Sequence, residues 1–154
     1  MHRFFATDRD WVSLFQRLVL AAVIFPHGAQ KLFGWFGGHG FDATMGFMTQ
    51  QGIPAPLAFL VIIGESLGAV ALALGLFTRL SAFGIAAIMA GAVALVHAKV
   101  GFFMNWMGTQ AGEGFEYHLL ALALAIPLVI RGGGLGAIDR AIARVLERRH
   151  TFAR

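Results

Sequence analysis

Glu65 is the only ionisable residue between positions 56 and 77, in a stretch otherwise made of apolar and small residues. At about 1.5 Å of rise per helical residue it lies about 13 Å from the start of that stretch. A carboxylate at such a depth must be paired, hydrated or protonated. The three states correspond to a packing brace, a ligand-binding group and a proton carrier.

A second set lies upstream. His27 and Lys31 are four residues apart, and His27 and Gln30 three apart, so one helical face carries all three side chains. Pro26 removes a backbone N–H just before them. An imidazole inside an apolar run needs a partner for each nitrogen, and His27 has Glu65 as a candidate. For Lys31 taken alone, the expected place is the interface, with its ammonium snorkelling beside Trp35 and Phe36 of an aromatic belt. As a partner for Glu65 it is the alternative.

The elements that position these groups are membrane spans. The 154 residues are 58% hydrophobic and only 13% charged, with mean hydropathy +0.72, against roughly a quarter charged in an ordinary soluble domain. Apolar runs at about 11–36, 56–77, 80–99 and 115–131 predict four spanning helices in a single domain, 1–154. The first run opens on the capping candidates Thr7, Asp8 and Asp10 and continues into polar and glycine residues, unlike a cleavable signal. The stretch between residues 36 and 56 is long enough for a short helix. Segment 137–149 sets Ile138, Ala141, Ile142, Val145 and Leu146 at helical spacing, with Arg140, Arg144 and Arg148 on another face. That pattern predicts an amphipathic helix on the membrane surface. The fold class is therefore all-α, an integral membrane four-helix bundle with a C-terminal amphipathic helix.

Charge sets the expected orientation. Ten arginines (Arg3, Arg9, Arg17, Arg79, Arg131, Arg140, Arg144, Arg148, Arg149 and Arg154) fall on the side of both termini, and the two lysines on the other. The positive-inside rule makes the termini and the turn at Arg79 cytoplasmic and puts loops 37–55 and 101–114 outside. The inner half then holds mainly snorkelling arginines. The outer half gathers His27, Glu65, His97, Glu116 and His118 with Lys31 and Lys99, near Asn105 and Trp106, which predicts a polar pocket open to the outer side. The three histidines come from separate spans without local ligand spacing such as HExxH, so neither metal nor haem is expected. The net charge of +4 fits an anionic membrane surface, and no basic domain for nucleic acid is present. With no cysteine, thiol redox chemistry and disulfides are excluded for this chain alone. Gly64 with Gly68, and Ala86, Ala90 and Ala94, are spaced for close helix packing.

The runs FPHGAQKLFGWFGGHG (25–40) and GESLGAVALALGLFTRLSAFG (64–84) resemble the DoxX family of small bacterial membrane proteins, the likeness extending over about 17–131. The resemblance implies a four-helix membrane bundle and a link to quinone-dependent or redox-defence complexes. His27, Lys31 and Glu65 match its motif positions, whereas His97, Glu116 and His118 are singled out by the topology alone.

The function expected is an accessory or anchoring subunit of a respiratory or redox assembly in the bacterial inner membrane. A quinone is the expected small-molecule ligand, and a redox enzyme subunit the expected partner. The chain has no cysteine and no flavin or haem motif, so electrons must come from that partner. The alternatives are a small proton-linked transporter or solute binder, acting as a homo-oligomer, and a purely structural protein in which Glu65 and Lys31 brace the bundle.

Overall fold

The computed structural model describes residues 2–152; Arg154 lies outside the described residues, as do the side chains of Arg3 and Arg149. Among the described residues all regular structure is helical. In chain order the helices are α1 (His2–Phe5), α2 (Trp11–Phe33), α3 (Phe41–Gln50), α4 (Ala55–Leu74), α5 (Thr78–Leu95), α6 (Glu116–Arg131) and α7 (Ile138–Phe152). Short 3-10 turns occupy Trp35–Gly37 and His97–Lys99.

Three helices, α2, α4 and α5, are long and apolar enough to cross a membrane. The fourth expected span corresponds to α6, whose 16 residues extend about 24 Å, short of the roughly 30 Å hydrocarbon layer. Helix α3 occupies the interval expected to hold a short helix.

Several ends differ from the hydropathy reading, each for a local reason. Helix α2 stops at Phe33, before residue 36, because Gly34 turns left-handed at φ 73° and its N–H bonds the Ala29 carbonyl. Gly75 at φ 65° ends α4 in the same way, ahead of residue 77. Helix α5 begins at Thr78, ahead of residue 80. The Asp139 carboxylate, at the start of α7, accepts from the Phe77 and Thr78 amides at 2.7 and 2.8 Å and caps it from 61 residues away. Its helical hydrogen bonding ends at Leu95, so His97 and Lys99 lie in the following turn. At the start of α2 the Asp10 side chain accepts from the Ser13 amide at 2.7 Å. That bond holds its carboxyl below the ordinary Asp value.

Helix α2 packs on α4 and α6, and α5 packs on the same two. Leu20, Ile24, Leu72, Ile85 and Leu128 meet in their shared core. The outward faces are equally apolar: Leu120 is 69% exposed and Phe83 60%, while Leu20 is 1%. Apolar surface on both sides of a helix layer fits a bilayer and not water. The chain is a membrane protein.

The two ends of this assembly are built differently. At the end carrying the termini, Arg17 is 3% exposed, which corrects the expectation of snorkelling arginines. Its guanidinium donates to the carbonyls of Gly133 (2.8 Å), Leu72 (3.3 Å), Ala73 and Leu135 (3.2 Å). Arg79 donates to Val129 (2.7 Å), Ile130 and Ala6 (3.0 Å). The last carbonyls of α4 and α6 have no partner within their own helices, and a guanidinium with five donors satisfies several at once while opposing the negative helix end. Helix α7 is fastened to this end through buried Asp139 and Ala143, while Ile138 and Val145 are exposed on one face and Arg144 and Arg148 on another.

Candidate functional site

At the opposite end, where residues 34–54 and 96–115 connect the helices, the ionisable side chains converge. Gly28 makes this possible. A Cβ on Gly28 would overlap the Glu65 carbonyl and the Ser66 amide, so α2 and α4 touch backbone to backbone at that level. The contact brings the Lys31 ammonium onto Glu65 Oε2, with a longer bond from Nζ to the His27 carbonyl at 3.5 Å. Glu65 is 5% exposed. Lys31 thus turns inward, contrary to the interfacial position expected for it alone. An unpaired carboxylate between helices costs more than withdrawing a lysine partly from water.

His27 feels the charges of both Lys31 and Glu65, and its ring lies 5.9 Å from that of Tyr117. From Tyr117 the polar groups continue along α6. Its ring is 5.4 Å from His118, and the His118 ring is 4.1 Å from His97. His97 Nδ1 sits 2.8 Å from the Glu113 carbonyl. Since a carbonyl only accepts, Nδ1 carries the proton and Nε2 is the free nitrogen. His118 is 6% exposed, and its Nδ1 and the Tyr117 hydroxyl are both buried without a protein partner.

Other predicted site residues do different work. The Gln30 side chain donates to the Phe36 carbonyl at 3.1 Å, and the Gln30 backbone carbonyl accepts from the Gly40 amide at 3.1 Å. A Cβ on Gly38 would overlap Gln30, so the glycine run folds directly onto the end of α2. Gln30 fastens that loop. Glu116 fastens the other one, its Oε1 accepting from the Met104 amide (2.9 Å) and the Trp106 indole (3.3 Å). Lys99 is exposed. Among the described residues no three His, Asp or Glu side chains come together to hold a metal ion.

Tyr117 is the group that sequence reasoning missed. It is the chain's only tyrosine, set between two residues already singled out, and a phenol in the first turn of an apolar helix requires a partner for its hydroxyl. That requirement was the available signal.

The fold and the site together define a small helical membrane protein with an ion pair and a row of histidines gathered at one end. A family model for DoxX matches residues 12–98, more than half of the chain. The chain belongs to the DoxX family. A Bacillus subtilis (strain 168) protein named "Putative oxidoreductase CatD" is 27% identical over 127 residues, which make up 82% of this chain and 84% of that protein. No solved structure matches the chain.

Proposed function

We propose that this protein is an accessory, anchoring subunit of a quinone-linked redox assembly in a bacterial inner membrane. The observation that carries the reading is the buried Glu65 paired with the half-buried Lys31 between apolar helices, beside His27 and Tyr117. The oxidoreductase name of the Bacillus relative supplies the redox context. In this reading 115–131 completes a four-span bundle, the bilayer thinning locally to meet its short helix. The arginine-rich end with both termini faces the cytoplasm, and α7 lies on that surface. Loops 34–54 and 96–115 and the polar pocket face outward.

The donor set fits a quinone head group. Lys31 offers N–H donors, while the Tyr117 hydroxyl and His118 Nδ1 are buried polar atoms with no protein partner. A bound quinone supplies the redox chemistry. Lys31 and Tyr117 orient a carbonyl oxygen by hydrogen bonding, and Glu65 holds or releases a proton at its Oε2. Electrons enter from the partner subunit.

Replacing Glu65 with Gln keeps the shape and removes the titrating group. Quinone-linked oxidation in native membranes is expected to fall about a hundredfold, the span of a lost acid–base group, with the protein still accumulating. A brace is the second reading, favoured by the direct contact of Lys31 with Glu65. It requires the opposite result, lost abundance with activity per molecule unchanged.

A further inference from the structure

Tyr117 and His118 are neighbours on α6, and each buries a polar atom that meets no protein group. The two atoms lie side by side in a region that also holds an ion pair and two further imidazoles. Buried polar atoms without protein partners are the sites at which internal water is retained, provided that two to four polar groups surround it. Polar side chains lie next to each of the two residues. The Tyr117 hydroxyl belongs to a residue that packs on His27 and lies within the field of Glu65. His118 packs on His97, their ring centroids 4.1 Å apart. The dry part of the same bundle is also defined, since Met89 is 5% exposed and sits in the apolar core.

We infer that His97, His118, Tyr117 and His27 line a water-filled inlet leading from loop 96–115 to Glu65. The mouth is His97, whose Nδ1 is tied to the Glu113 carbonyl and whose Nε2 is left for water. His118 stands directly behind it, and Tyr117 and His27 follow. At the inner end Glu65 faces Lys31 and His27 from α2 and Tyr117 from α6. The other helices packed on α4 are α5, whose charged residue is Arg79 at the far end, and α3, whose Asp42 is exposed. Water in such a row passes protons stepwise, His97 taking up and releasing one at Nε2 while His118 and Tyr117 exchange theirs with the water beside them. Glu65 then exchanges protons with the loop side of the membrane. The inlet's role in turnover rests on the redox reading above, but its hydration does not.

X-ray radiolytic footprinting of the full chain in lipid nanodiscs tests it, because hydroxyl radicals formed from bound water oxidise only the residues beside that water. Tyr117 and His118 are expected to be modified about tenfold faster than Met89, although methionine is intrinsically the more oxidisable type. Protection of Tyr117 and His118 equal to that of Met89 would overturn the inlet. In His118→Phe, which keeps a ring and removes both nitrogens, modification of Tyr117 is expected to fall about fivefold while that of exposed Trp106 is unchanged. Unaltered modification of Tyr117 in that variant would overturn the route through His97 and His118. The Glu65→Gln variant keeps the wild-type footprint if the inlet exists. A normal footprint together with undiminished quinone-linked oxidation in that variant would leave the inlet standing and remove the redox reading alone.

Discussion

Replacing Gly28 with alanine is expected to destabilise the protein by about 2 kcal/mol and to separate Lys31 from Glu65. The added Cβ would land on the Glu65 carbonyl and the Ser66 amide, which are backbone and cannot rotate aside as a flexible side chain would. Overpacking of this kind costs up to about 3 kcal/mol, and the better helix propensity of alanine returns only about 1. The packing cost therefore wins. As α2 and α4 part, the lysine loses its carboxylate, so the variant should also lose quinone-linked oxidation while still inserting in the membrane. Unfolding in graded detergent reads the first effect, and activity in native membranes the second. A variant as stable and as active as the wild type would show that the backbone contact at Gly28 does not position the pair.

Arg17→Met should have the larger effect on folding. The guanidinium is buried and joins α2 to the end of α4 and to the glycine-rich segment before α7 through four carbonyls. Methionine fills much of the volume and offers no donor, which strands carbonyls that a charged hydrogen bond each stabilises by about 1.5–3 kcal/mol. These contributions overlap, so a net loss of about 4 kcal/mol is expected. In a chain of this length that lowers the thermal midpoint by about 10 °C. Arg17→Lys should recover less than half of the loss, because one ammonium cannot span four carbonyls on two segments. Full recovery by lysine would mean that charge alone, and not the planar fork, holds this end together.

Hydropathy and composition made the all-helical membrane class and the spanning character of α2, α4 and α5 legible, since both depend on the local run of residues. The limits of the apolar runs came within a few residues of the helix ends, which Gly34 and Gly75 set more sharply. The contacts across the chain were not legible. The start of α5 is fixed by Asp139, far downstream, and nothing between residues 70 and 80 announces it. Arg17 and Arg79 read as interfacial arginines, because sequence reveals the charge but not the helix ends that lie within its reach. Gln30 has the same amide whether it lines a pocket or fastens a loop, and only the fold of the glycine run over it decides. For Lys31 the two readings differed by the distance between α2 and α4, which the side chain lacking at Gly28 sets. Tyr117 was not legible because a single aromatic in an apolar helix has the same composition whether its hydroxyl faces the polar groups or the core.

Native mass spectrometry of the protein, gently solubilised from its own membranes, tests the central claim most directly, because partner, oligomer and bound small molecule are weighed together. The account predicts a stoichiometric redox subunit with a quinone-mass adduct that is lost in Glu65→Gln. A bare homo-oligomer carrying neither would contradict it.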